Sequence, residues 1–144
     1  MESVFYELAK EFCQYVRENI ISKESLDYLI EIIMKLYVAA LHLSNSEPDT
    51  VEQNDKAMPA EIRISSQVPS TYWEVYDPFE DTEVICGSFY DDLNDIIRDI
   101  EKGIDEYDAG RIGNAVFEWS FGLNNHWGKH AVDLIRAMHA LRTE

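Results

Sequence analysis

The sequence predicts an all-α fold: a compact antiparallel helical bundle of four main helices plus a short helical turn, with a long polar loop. Apolar residues recur every three or four positions in four separate segments, the periodicity of helices that bury one face. Start and stop residues flank those segments. The links within the first pair and within the last pair are short, which makes sequential helices neighbours in space. With 144 residues, 46% of them hydrophobic and 12% aromatic, the chain holds material for one packed core, so 1–144 reads as a single domain.

In the first helix the inward face is Phe5, Leu8, Phe12, Val16 and Ile20. Ser22 offers a side-chain oxygen to cap the second, where Leu26, Leu29, Ile30, Ile33, Leu36, Tyr37, Ala40 and Leu41 form a stripe widened by Ile32 and Val38. A helix that apolar belongs near the centre. Residues 44–70 then turn to Ser, Asn, Pro, Asp, Glu and Gln, with Pro48, Pro59 and Pro69 as breakers, and read as a mobile surface loop open to protease at 47–55.

Thr71 and Glu74 have the spacing of a capping box, which makes Tyr72 to Tyr76 a short helical turn ended by Asp77-Pro78 and leaves 79–87 irregular. Ser88 with Asp91 starts the third helix, whose stripe is Phe89, Leu93, Ile96, Ile97, Ile100, Ile104 and Tyr107, and Gly110 ends it. A last helical segment runs from Arg111 to about Leu141. Its stripe is Ile112, Val116, Trp119, Leu123, His126, Trp127, His130, Leu134, Ala137 and Leu141. Phe117, Phe121, Val132 and Ile135 project from the other side, so the segment is either buried on two faces or broken near 122–128.

The stretch Tyr72-Trp73-Glu74-Val75-Tyr76-Asp77-Pro78-Phe79-Glu80-Asp81, then Asp91 to Ile96, then Asn125-His126-Trp127-Gly128-Lys129-His130 resemble a bacterial family known as domain of unknown function 5063. The resemblance is densest over 72–141; in the N-terminal helices it consists only of apolar spacing. It implies a small, intracellular, all-helical protein and leaves the activity open.

Twelve Lys and Arg stand against 28 Asp and Glu, a formal charge of −16 that opposes direct binding to nucleic-acid phosphates or anionic membranes. The apolar-rich run 26–43 is interrupted by Asp27, Glu31, Lys35 and His42, so it is no bilayer span, and Glu2 and Glu7 spoil any secretory pattern at the start. Cys13 and Cys86 read as unpaired thiols of a cytoplasmic protein. Phosphate-cradling glycine loops, a nucleophile elbow, paired-cysteine motifs and a His-Glu-x-x-His motif are absent. This favours a noncatalytic adaptor with an acidic helical surface and an aromatic turn, engaging a protein partner that its charge would suit to be basic. The alternative is a divalent-metal-binding protein or metal-dependent enzyme, and a further one is an inhibitor or immunity-type protein for a basic partner. Only the metal reading calls for a cofactor, a divalent transition metal.

Two groups of residues carry these readings. Trp73, Asp77, Trp119 and Trp127 can frame a ligand or partner groove, against the plainer reading of core and lid. His126 and His130 lie one turn apart inside the apolar stripe of the last segment. Buried imidazoles need partners, and a structural pair would bond a group such as Asp92 across the bundle. A metal-binding pair would instead share one ion, with Asp92, Asp99 or Asp133 supplying oxygen. Asp95 and Glu106 point away from the apolar stripe of the third helix and read as part of the solvated acidic face.

Overall fold

The computed structural model describes residues 1–44, 47–48 and 61–144. It is predominantly helical, with α1 (Glu2–Glu18), α2 (Leu26–Leu41), α3 (Phe89–Asp108), α4 (Ile112–Asn125) and α5 (Trp127–Arg142). Two small sheets complete it: β1 (Ile20–Ile21) pairs in parallel with β2 (Arg63–Ile64), and β3 (Thr71–Glu74) pairs antiparallel with β4 (Ile85–Ser88). α1, α4 and α5 each pack on both α2 and α3. None of the described helices is long and apolar enough to cross a membrane.

Most of the predicted stripes of the first three helices become the core, but Ile20 falls beyond the end of α1 in β1 and is exposed, as are Val38 and Leu41 on α2. Phe5, Phe12 and Val16 of α1, Leu29, Ile33 and Leu36 of α2, and Leu93, Ile96, Ile97 and Ile100 of α3 are all fully buried. Ser22 and Ser25 form a reciprocal cap on a short 3-10 turn, Lys23–Ser25, that leads into α2. The Ser88 hydroxyl accepts from the Asp91 amide at 3.1 Å and starts α3, and Gly110, at φ 82°, turns the chain out of it.

The last segment takes the broken alternative. It bends at His126 into α4 and α5, which lets Trp119 and Trp127 both point into the core, each fully buried. Their indoles are satisfied by backbone: Trp119 Nε1 donates to the Ile100 carbonyl at 3.0 Å, and Trp127 Nε1 to the Trp119 carbonyl at 2.9 Å. Phe5 lies against Trp119 with ring centroids 4.6 Å apart. A mid-helix glycine ordinarily weakens a helix, yet α3 carries Gly103 for a steric reason. A Cβ there would sit 2.0 Å from Trp119 Nε1.

Four expectations fail in detail. Residues 71–76 are not a helical turn: Thr71, Tyr72 and Trp73 are strong strand formers, and burial alternates along β3 with Tyr72 and Glu74 turned inward. Nor is 79–87 wholly irregular, since Ile85–Ser88 pairs with β3 in the register Thr71↔Ser88 to Glu74↔Ile85. Gly87 leaves a close fit there: a Cβ would come within 3.1 Å of the Glu74 carboxyl and 3.2 Å of the Tyr72 ring, so those side chains would have to give slightly. The polar loop is shorter than 44–70: residues 61–70 belong to the fold through β2 and through Ile62 and Val68, which enter the core. Of the expected protease window at 47–55, all but Glu47 and Pro48 lies outside the described residues.

Glu106 is the fourth. Instead of facing water it is buried beneath the α3–α4 turn, where the Arg111 guanidinium and Asn114 Nδ2, at 3.0 Å, both donate to it. The Arg111 bond holds its carboxyl below the usual range, against the opposing effect of burial. Cys13 is buried and Cys86 exposed, and neither is in a disulfide. Burial pushes the Cys13 thiol well up, which removes it as a nucleophile.

Candidate metal centre

α4 stops at Asn125 and α5 starts at Trp127, so His126 occupies the corner itself, with φ −150° and ψ −81°. The corner closes tightly. A Cβ on Gly128 would fall 1.9 Å from the Leu123 carbonyl oxygen, and the His126 amide donates to the Gly122 carbonyl at 2.8 Å. This bend swings the His126 ring over α3, where its Nδ1 meets Asp99 Oδ2 at 2.7 Å.

One turn further on, His130 Nδ1 meets Asp92 Oδ1 at 2.7 Å, while its Nε2 lies 3.3 Å from Asp95 Oδ2. The two imidazoles stand edge to face with centroids 4.9 Å apart. Asp92, Asp95 and Asp99 are three and four residues apart, which puts them on one face of α3. Asp95, His126 and His130 can each offer a ligand atom, with all these atoms within 4.8 Å of one another.

The carboxylates at Nδ1 matter as much as the convergence. A carboxylate accepts, so a neutral ring beside it carries its proton on Nδ1 and leaves the Nε2 lone pair available. The Asp92 bond raises the His130 pKa, outweighing the opposite pull of burial, and Asp95 adds to the rise. Asp92 is itself only 4% exposed, and its second oxygen, Oδ2, is buried without a hydrogen-bond partner among the described residues. A buried carboxylate left half-satisfied is stabilised by positive charge nearby.

The residues expected to act together sort themselves differently. His126 and His130 do meet, but on the margin of the core, with side chains 48% and 25% exposed, because the corner rotates them off the stripe that Trp119 and Trp127 occupy. Asp92 and Asp99 each meet the Nδ1 of one ring, while Asp95 is the carboxylate that converges with both imidazoles. Asp95, assigned to the solvated face, turns toward the histidines. Asp133 faces the other way: Lys129 Nζ bonds its Oδ2 at 2.9 Å, and the Glu74 carboxyl of β3 lies beside it. Burial, then Asp133, raises the Glu74 pKa, so the Glu74 carboxyl holds its proton more readily than a free one. Glu74 was missed because nothing local to β3 signals its approach to α5.

The aromatic groove does not form. Trp119 and Trp127 are core, Trp73 is 71% exposed on β3, and the Asp77 carboxylate accepts from the Phe79 amide at 2.9 Å within its own turn.

The sequence matches the family described as Domain of unknown function (DUF5063) over residues 2–144. The chain belongs to that family. This DUF5063 protein is similar in fold to the crystal structure of protein BF1032 from Bacteroides fragilis, with a TM-score of 0.72 and 19% sequence identity over 97% of this chain and 93% of that one. Among curated proteins no sequence matches it. At that identity the likeness speaks to the DUF5063 fold, and the chemistry has to be argued from the side chains.

Proposed function

We propose that this DUF5063 protein binds a divalent transition metal through Asp95, His126 and His130. One observation carries the reading: two imidazoles with Nδ1 committed to Asp99 and Asp92 converge with a third carboxylate inside 4.8 Å. Carboxylate–histidine–metal relays use this arrangement to orient the ring and strengthen it as a donor. Two nitrogens and one oxygen suit zinc or a neighbouring first-row ion, and three protein ligands leave coordination positions open to water or substrate. Free thiols at Cys13 and Cys86 suit a reducing compartment, so the ion would be taken up in the cytoplasm.

Metal-free protein titrated with zinc or cobalt should take up close to one ion per chain, with a rise in melting temperature that a chelator reverses. His130→Ala and Asp95→Asn should remove the uptake while the helical circular dichroism persists. Asp92→Asn should keep it but weaken it by about 10- to 100-fold, the usual effect of losing the group that orients a ligand. Uptake that survives both His130→Ala and Asp95→Asn would show that the ion sits elsewhere.

A second reading rests on the β3–β4 hairpin. Trp73 and Tyr76 are each 71% exposed and Phe79 97%, within a stretch that also carries Asp77, Glu80, Asp81 and Glu83. We infer that this hairpin docks a basic protein segment bearing apolar side chains, the adaptor or inhibitor role moved from the α3 face to the hairpin. Exposed aromatics supply contact energy, and the surrounding carboxylates steer a cationic partner. An amphipathic Lys- and Leu-rich helical peptide should bind saturably and shift the Trp73 fluorescence. Phe79→Ala should weaken it about tenfold, equivalent to roughly 1.4 kcal/mol, and salt should weaken it further. Affinity indifferent to Phe79→Ala would remove the hairpin from the reading.

A further inference from the structure

Asp95 and His126 face two ways. On one side they converge with His130, and on the other they border an open groove of about 430 Å³ between α3 and α4. Arg98 and Lys102 line the same groove. These are the only basic residues between Arg63 and Arg111, a stretch otherwise crowded with carboxylates.

Neither cation makes a salt bridge among the described residues, although both stand on an acidic helix. The reason lies in how the neighbouring acids are engaged. Glu101 is taken by Arg17 at 2.7 Å, Asp99 by His126, and Glu106 by Arg111 and Asn114. Of the other two carboxylates of the groove, Asp95 lies 3.3 Å from His130 Nε2, and Lys102 acts electrostatically on Glu118. Arg98 and Lys102, four residues apart on one helix face, thus hold positive charge beside the candidate ion in a protein of formal charge −16.

We propose that this groove binds a phosphate-bearing small molecule, with one phosphate oxygen on the metal and the others on Arg98 and Lys102. The proposal rests on the metal reading above. A guanidinium fork, an ammonium and a divalent ion with open positions are complementary to the several oxygens of a tetrahedral dianion. Phe121, half-exposed and stacked on Phe117 at 5.3 Å, gives the groove an apolar wall for the rest of the molecule. The volume is in the range of small-ligand clefts.

The probe is phenyl phosphate, titrated calorimetrically into zinc-loaded and metal-free protein, with zinc content measured on the same samples. Zinc-loaded wild type should bind it saturably, and phenol should not bind. Arg98→Ala and Lys102→Ala should each weaken binding at least about tenfold, the loss of a charge-assisted contact, while leaving zinc content unchanged. Absence of binding to zinc-loaded wild type, or equal binding by the Arg98→Ala/Lys102→Ala double variant, overturns the proposal. If the protein takes up no zinc, the metal reading fails by itself. The groove assignment then stands on the metal-free titration: binding lost in the double variant keeps it, and no binding removes it.

Discussion

Gly128→Ala is expected to destabilise the protein by on the order of 3 kcal/mol or more, because the new methyl group would overlap backbone that cannot rotate away. The Leu123 carbonyl oxygen would lie 1.9 Å from it and the carbonyl carbon 2.9 Å. A flexible side chain could yield, but a peptide unit within a turn of α4 can move only if the corner opens. Opening would carry His126 away from Asp99 and separate it from His130. Urea denaturation followed by circular dichroism measures the loss, and an unchanged midpoint would show that the corner tolerates a Cβ. Gly110→Ala serves as a contrast, since nothing lies within 4 Å of that position and only its φ of 82° opposes a side chain. It should cost about 1 kcal/mol.

Trp119→Ala is expected to cost about 3–5 kcal/mol, the range for removing a large aromatic from a close-packed interior. The ring is fully buried, lies against Phe5, and hydrogen-bonds the Ile100 carbonyl. The variant also tests why α3 contains a glycine. The nearest atoms to a Cβ at Gly103 all belong to this indole, so Gly103→Ala should be strongly destabilising in the wild type and much less so once Trp119 is alanine. Thermal or urea melts of the two single variants and the double variant yield the coupling. Additive losses would mean that Gly103 serves some other purpose.

Helix by helix, the structure follows what repeated apolar spacing can encode. α1, α2 and α3 are long enough for the period to declare itself, and the Ser88 cap and Gly110 stop are chemical signals confined to a few residues. The strands are two to four residues long, too short for an alternation to stand out. Thr71 and Glu74 happen to sit three apart like a capping box, which disguised β3 as a turn. Most of the candidate cluster was legible in the same way: His126, His130, Asp92 and Asp99 were all singled out, while Asp95 was placed on the solvated face. The bend at His126 resets the phase of α5, so its two imidazoles leave the core stripe and reach Asp95. Glu106 was misplaced for a related reason. Its partners Arg111 and Asn114 come from the next helix, whose return path no single-helix projection contains.

β4 runs into α3 without an intervening residue: Ser88 is both the last residue of the strand and the cap of the helix. Mechanically, this makes the exposed hairpin a handle bolted to a rod. Asp92, which grips His130, lies in the first turns of that rod, and Glu74 on the partner strand leans on the helix that carries His130. No loop separates β4 from the turn of α3 that bears Asp92, whereas Phe79 hangs on the irregular connection between the strands. Any shift of β4 along its own axis would therefore carry with it Asp92, whose Oδ1 lies 2.7 Å from His130 Nδ1.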